Sequence, residues 1–475
     1  MRKNCFSIWL LIIAVFWLAS CAHISHDPLL KNPHTLVFKQ IQHKVPRPQR
    51  LAIDNGMVIY LLEDHELPLI EVSALIRTGA IYEPAEYAGL ASLTGEVLRT
   101  GGTKALAPEK IDETLEYIDA QIAFSIDTES GSATLSVIKK DFDLAFDVFS
   151  QMLRTPRFAP ERLAIAKEQK ISALRQINDN PQSLAFREFK KFLYGTNPRG
   201  NLPTIDTIKR IESHHLYRFY QAHFQPNRII LGVSGDFSSE QMIATIKKVF
   251  GDWKSYDSAI PAIAPPSPVA GRRLYYLEKK VPQSTILIGK LAPPKQNPDY
   301  YAFEILNYIL GGGGFSSLLT SEIRSNRGLA YSVGSFYRAD VDYGVFAAYA
   351  ITKSASTAEV YELMRDLMKR TDNMSINEEL KKAQESLINS FIFSYTSSAQ
   401  IVAQTMVLEY EHLPSDFLEQ YPQNIKRVTL GDVRRVAQMY LNPDHSVSLI
   451  VGDAESFDKP LSWFGPVQRV FSDIK

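Results

Sequence analysis

The chain has 475 residues, more than one ordinary core accommodates, so two or more domains are expected. Hydrophobic residues make up 45% and charged residues 22%, the range of a soluble globular protein rather than a disordered or fibrous one. Lysine plus arginine equals aspartate plus glutamate at 52 each, which gives no electrostatic reason to expect nucleic acid as a partner.

The N-terminus reads as an address and an anchor. Arg2 and Lys3 precede an apolar run over residues 6–19, the charge order and length of a signal peptide over residues 1–20. The run closes on Leu18-Ala19-Ser20-Cys21, which resembles a bacterial lipobox and implies cleavage before Cys21 and lipidation of its sulfur. Ordinary secretion, with Cys21 incidental, is the alternative. Ala22, not aspartate, follows, which resembles the outer-membrane sorting pattern of Gram-negative bacteria. Lipid chains would hold the protein at a membrane face without spanning it. The expected place is the cell envelope, at the outer membrane and facing the periplasm. Residues 21–50 are polar, with scattered proline and histidine, and read as a tether. The only cysteines, Cys5 and Cys21, lie before the globular body. A disulfide, a cysteine nucleophile and a thiolate metal site within that body are therefore excluded.

Residues 51–62 read as strand, turn, strand, with Asp54-Asn55-Gly56 as the hairpin signal. Another strand is expected over 67–76. Then come Gly79, Glu83 and Gly89-Leu90-Ala91, a helix through Leu98, and the turn Gly101-Gly102-Thr103. Residues 122–127 and 132–138 alternate as half-buried strands do. Residues 142–153 and 160–177 have helical spacing, the first ended by Thr155-Pro156.

An internal repeat follows. Ile208-Lys209-Arg210, Pro226 and Gly235-Asp236 recur as Ile425-Lys426-Arg427, Pro443 and Gly452-Asp453 at a constant offset of about 217 residues, without a gap. The chain is therefore expected to contain two homologous halves, residues 51–254 and 273–475. Between them, residues 255–272 carry four prolines and read as a semi-extended linker.

In the second half, strands are expected over 273–277, 283–291, 329–336, 345–351 and 446–451. Helices are expected over 300–310, 317–326, 357–370 and 376–393. The glycines Gly311 to Gly314 read as a turn. No Gly-Lys-Ser/Thr follows them, so a phosphate loop is a weak reading. The stretch GGGGFSSLLTSEIRSNRGLAYSV, from Gly311 to Val333, places Arg324 seven residues before Tyr331.

That stretch, and the order hairpin, strand, Gly79, Glu83, Gly89-Leu90-Ala91 and helix, resemble the pitrilysin/insulinase superfamily of zinc peptidases, peptidase family M16. The resemblance covers nearly the whole chain after the tether. It implies an α+β fold of two homologous halves, each a mostly antiparallel sheet packed with helices, forming a clamshell. It also implies that a strand at residues 122–127 borders the cleft and can take a peptide as an added strand. Active members carry His-x-x-Glu-His on the first helix. Two histidines four apart share a zinc, and the glutamate activates its water. Aligned on Gly89-Leu90-Ala91, these positions fall on Ser92, Gly95 and Glu96, and a further glutamate ligand falls near Ala173. All four are replaced. None of the ten histidines has another four residues away. His214, His215 and His223 are the dense alternative, but adjacent histidines on a helix point about 100° apart and rarely share a metal.

The Arg324–Tyr331 pair, by the same resemblance, holds a peptide and faces a zinc site of another half. Alone, an arginine and a tyrosine beside a strand are more often structural; the glycine-rich context favours function. The chain is thus expected to hold no cofactor itself and to be the non-catalytic subunit of a two-subunit zinc metallopeptidase. It would bind peptide or unfolded protein and complete the active site of a zinc-bearing homologue. A lipid-anchored peptide-binding or scaffold protein is the alternative, and a self-sufficient zinc peptidase a weaker one.

Overall fold

The computed structural model describes residues 46–256, 260–371 and 376–474. Cys5, Cys21 and the residues read as signal peptide lie outside them, as does nearly all of the tether. Among the described residues no helix is long and apolar enough to cross a membrane.

Two six-stranded sheets organise the chain. The first contains β1 (Gln49–Ala52), β2 (Val58–Glu63), β3 (Leu69–Ile76), β4 (Gln121–Ile126), β5 (Gly131–Ile138) and β6 (Ile229–Gly235), in the order β1-β2-β6-β3-β5-β4. The second contains β7 (Arg273–Glu278), β8 (Gln283–Ala292), β9 (Ala330–Ala339), β10 (Gly344–Lys353), β11 (Val447–Gly452) and β12 (Gln468–Val470), in the order β12-β7-β11-β8-β10-β9. From the second strand onward the two orders are the same pattern. In each, the last strand of the repeated unit, β6 or β11, inserts between the first and second and runs parallel to the first. The remaining neighbours are antiparallel, apart from β12 with β7. The fold is α+β with two halves, as the sequence suggests.

Local chemistry explains the pieces. Gly56 adopts φ +88°, and Asn55 anchors the β1–β2 turn by donating to the Phe250 carbonyl at 2.6 Å. In β5 every second residue is buried, the pattern of a sheet with one covered face. Pro226 and Pro443 each open a single 3-10 turn that feeds β6 or β11. Among the described residues no helix or strand lies between Gly251 and Arg272. The Ala264 carbonyl there accepts bonds from Asn197 and Arg199, which pin the linker.

Four helices matter below and are numbered in chain order: α1 (Leu90–Thr100), α2 (Pro160–Asp179), α3 (Pro181–Tyr194) and α4 (Ser398–Tyr410). The last two start 217 residues apart, so they are equivalent in the repeat. Each lies on the sheet of the other half. Helix α3 packs on β8 and β11, and α4 packs on β6, β2 and β3. A glycine makes room in each case. A Cβ on Gly289 would stand 2.8 Å from Phe189 Cζ, and one on Gly232 would stand 2.4 Å from both Met406 Sδ and Val402 Cγ1. The exchange is reinforced at its rim. Glu409 accepts from Arg50 and from the Tyr60 hydroxyl, and Asp473 pairs with Arg187 and Lys191. The two halves are therefore interlocked.

Candidate functional site

Helix α1 begins where Gly89 turns at φ +103°. The Glu83 carboxylate caps it, accepting the Gly89 and Ala91 N–H groups, each at 2.8 Å. Two of the helix's orphan donors are thereby satisfied. Burial pushes the Glu83 pKa up to about 7, against the opposing effect of the N–H bonds. Glu83 is thus a structural contact.

The four positions that the resemblance aligns with a metal motif are placed as follows. The Ser92 hydroxyl donates back to the Gly89 carbonyl at 3.1 Å. Gly95 is buried against β4; a Cβ there would lie 3.0 Å from the Ile126 nitrogen and 3.3 Å from Ile126 Cγ1. Glu96 is half-buried, its pKa raised by desolvation and held back by the charge of Lys170. Ala173 is exposed on α2, and Lys170 precedes it by one turn.

These residues do not fit a zinc ion. One hydroxyl is engaged by its own helix, the base position has no side chain and abuts a strand, and the lone carboxylate feels an ammonium. Among the described residues no group of three or more His, Cys, Asp or Glu side chains is placed to hold a metal. The clustered histidines serve other ends. His215 Nδ1 accepts the Glu212 N–H at 3.0 Å and its ring packs on Tyr87, while His214 lies 3.2 Å from Glu212. His223 is buried, and burial beside Arg228 lowers its pKa to about 4.

The second half presents a different arrangement. The chain from Tyr300 runs as α-helix to Asn307 and then widens into a π-helical turn, Tyr308–Gly312. The glycine run is therefore partly helical rather than a simple turn. The reason is a close approach. A Cβ on Gly311 would fall 2.3 Å from the Ser335 nitrogen in β9. A second π-helical segment, Thr320–Asn326, carries Arg324. Gly328, at φ +64°, reverses the chain, and its N–H bonds back to the Arg324 carbonyl at 3.0 Å. This turn brings Tyr331, the second residue of β9, beside Arg324.

The Arg324 guanidinium carbon sits 5.1 Å from the Tyr331 ring centroid and 4.7 Å from that of Phe315. Both rings are mostly solvent-exposed, at 79% and 70%. The nearby Glu322 is engaged by Arg327 and Asn326. Among the described residues no carboxylate pairs with Arg324. Phe315 was not foreseen from the sequence; an aromatic directly after a glycine run was the available signal. No hydrogen bond, ion pair or ring contact links Arg324 or Tyr331 to Ser92, Gly95, Glu96 or Ala173. The pair does not lean on its own chain's degenerate helix.

Comparison with known proteins agrees with the geometry. A family model described as Insulinase (Peptidase family M16) matches residues 58–204, and one described as Peptidase M16 inactive domain matches residues 210–387. A non-peptidase homolog from Helicobacter pylori is 25% identical over 409 residues, spanning 84% of this chain and 92% of its own length. An uncharacterized zinc protease of Streptomyces coelicolor is 24% identical over 359 residues, 74% of this chain and 78% of its own. The mitochondrial-processing peptidase subunit beta of Mus musculus is 21% identical over 434 residues, 89% of this chain and 88% of its own. The crystal structure of a peptidase M16 inactive domain from Pseudomonas fluorescens superposes with a TM-score of 0.80 at 25% identity, covering 88% of this chain and all of that one.

Proposed function

Because the chain belongs to the peptidase M16 family, we propose that it is the non-catalytic subunit of a two-chain peptidase. It pairs with a zinc-bearing homologue and lends that partner Arg324 and Tyr331. The observation that carries this reading is an exposed arginine–tyrosine pair, without an acid of its own, on a chain whose metal helix does not fit a metal. The substrate is a peptide or unfolded segment. Arg324 donates N–H bonds to its backbone carbonyls, and the Tyr331 hydroxyl donates to the oxyanion formed when water adds to the scissile carbonyl. The attacking water and its metal belong to the partner. A relative named as a subunit of a processing peptidase supports assembly. Lipidation at Cys21 would place the pair at the outer membrane, facing the periplasm.

A second reading is a lipid-anchored peptide-binding scaffold with no proteolytic role; the Helicobacter relative named a non-peptidase homolog favours it. Purification from the native membrane, with metal analysis and peptide cleavage on the complex, separates the two. A zinc-bearing homologue that co-purifies, and whose cleavage falls when Tyr331→Phe is introduced, supports the subunit. Recovery of this chain without such a partner, or unchanged cleavage, supports the scaffold.

A further inference from the structure

Strands β4 and β9 are each an edge strand of their sheet, opposite β1 and β12. In an antiparallel pair, successive residues point their backbone groups alternately toward and away from the neighbour. The Asp127 N–H bonds to the Ser130 carbonyl, so residues 121, 123 and 125 face β5 and residues 122, 124 and 126 face outward. By the same count from Asp340 and Tyr343, residues 333 and 335 of β9 face outward.

In β9 these outward groups are taken. The Thr320 hydroxyl donates to the Val333 carbonyl at 3.0 Å, and Gly311 lies against the Ser335 nitrogen. In β4 the same device recurs with other residues. Arg99 Nε donates to the Ile122 carbonyl at 3.0 Å and is steadied by Asp112, while Gly95 lies against the Ile126 nitrogen. A peptide adding as a strand bonds to residues i and i+2 of the edge. Both available pairs in β4, 122 with 124 and 124 with 126, include a group already covered.

We infer that Gly95 is a seating residue. It lets α1 rest on the outward edge of β4, as Gly311 seats its helix on β9, and this closes that edge of the first sheet to strand addition. The loss of the base at residue 95 and the closing of the edge are one change. On the reading of this chain as a subunit, the strand that receives the substrate belongs to the partner, and this chain offers only its arginine–tyrosine face.

Hydrogen exchange on the full mature chain, read by mass spectrometry over residues 121–126, tests this without any partner or turnover. The probe is an unstructured peptide rich in valine and threonine. Wild-type exchange in this segment should not change when the peptide is added. Gly95→Ala should speed exchange there about tenfold, although alanine raises helix propensity, because its methyl lifts α1 from the strand. Arg99→Met, which leaves the seat intact, frees the Ile122 carbonyl and serves if the alanine variant does not fold; it should let the peptide slow exchange at residues 121–126. The inference is overturned if the peptide slows exchange in the wild-type segment, or if neither variant alters it. Neither overturning result touches the proposal of a trans-acting subunit, which rests on cleavage by the complex.

Discussion

Arg324 lies over the exposed ring of Tyr331, 5.1 Å from its centroid, and 4.7 Å from that of Phe315. An aromatic ring attracts a guanidinium without offering it a strong hydrogen-bond acceptor, so the N–H groups stay available to donate. Tyr331→Phe keeps the ring and removes only the hydroxyl. On the proposed pairing with a zinc-bearing homologue, it should lower kcat of the complex on the order of 100-fold with little change in KM, as expected when one oxyanion donor is lost. Arg324→Lys keeps the charge and loses the planar fork, so KM should rise more than kcat falls. Steady-state kinetics on a fluorogenic peptide decide. An unchanged kcat for the phenylalanine variant would rule the tyrosine out of the chemistry.

The helix exchange yields a stability prediction. Gly232 and Gly289 each face a side chain from the opposite half at under 3 Å from a virtual Cβ. Alanine at either site must displace α4 or α3 from the foreign sheet, and at Gly289 it also meets the Phe346 carbonyl at 2.3 Å. Each substitution should cost about 1–3 kcal/mol, the range for overpacking. Gly431→Ala is a control, because its backbone is helical and a Cβ there would meet only Thr429 Oγ1, at an ordinary 3.6 Å. Denaturant unfolding should order the variants with Gly431→Ala least affected. Equal losses at all three sites would show that packing between the halves is not what these glycines serve.

Much of this architecture is local in origin and could be read from the chain. Asn55-Gly56 announces its hairpin, the alternation in residues 132–138 announces β5, and the 217-residue repeat announces two halves with one strand order. That Ser92, Gly95 and Glu96 share one helix could be read from the Gly89-Leu90-Ala91 landmark that precedes them. What was illegible involves distant partners. Neither α3 nor α4 was among the helices read from the sequence, and nothing local to either says that it meets the other half's sheet. Gly311 was read as part of a turn because glycine permits turns, yet its use is a close approach to Ser335 across 24 residues. Gly95 was read as a missing base, and its contact with β4 is equally non-local.

Two buried groups give opposite pH dependences. Burial raises Glu83 from the ordinary 4.5 to about 7. The folded state then binds its proton more tightly than the unfolded chain. Its stabilising contribution is complete below pH 4.5 and is lost as pH rises through 7, by an amount on the order of 3 kcal/mol. His223 is lowered from 6.5 to about 4 by burial and by Arg228. Its contribution is complete above pH 6.5 and is lost as pH falls through 4. Glu83→Gln should therefore remove a stability decline between pH 4.5 and 7, and His223→Gln should remove a decline on the acid side. Chemical denaturation of both variants across pH 4–8 reads the two slopes. A Glu83 carboxyl that titrates below 4.5 by carbon NMR would mean that the helix N–H bonds outweigh its burial.

The degenerate metal helix should resist repair. Ser92→His, Gly95→Glu and Glu96→His together rewrite the motif, but they meet two obstacles. A glutamate at 95 begins with a Cβ 3.0 Å from the Ile126 nitrogen, so α1 or β4 must shift by a few tenths of an ångström before the carboxylate can be aimed. The final carboxylate is missing, since the matching stretch of α2 offers Ala173 to solvent and sets the charge of Lys170 near Glu96. Two histidines alone, beside an ammonium, lack the third protein ligand that catalytic zinc sites use. The triple variant, dialysed against trace zinc, should retain clearly less than one zinc per chain by atomic absorption and should cleave no peptide. Adding Ala173→Glu and Lys170→Ala supplies the third ligand and removes the competing charge, so zinc content should rise well before activity does. Stoichiometric zinc in the triple variant would show that the backbone of α1 still holds a metal-ready geometry, and that Gly95 had closed nothing.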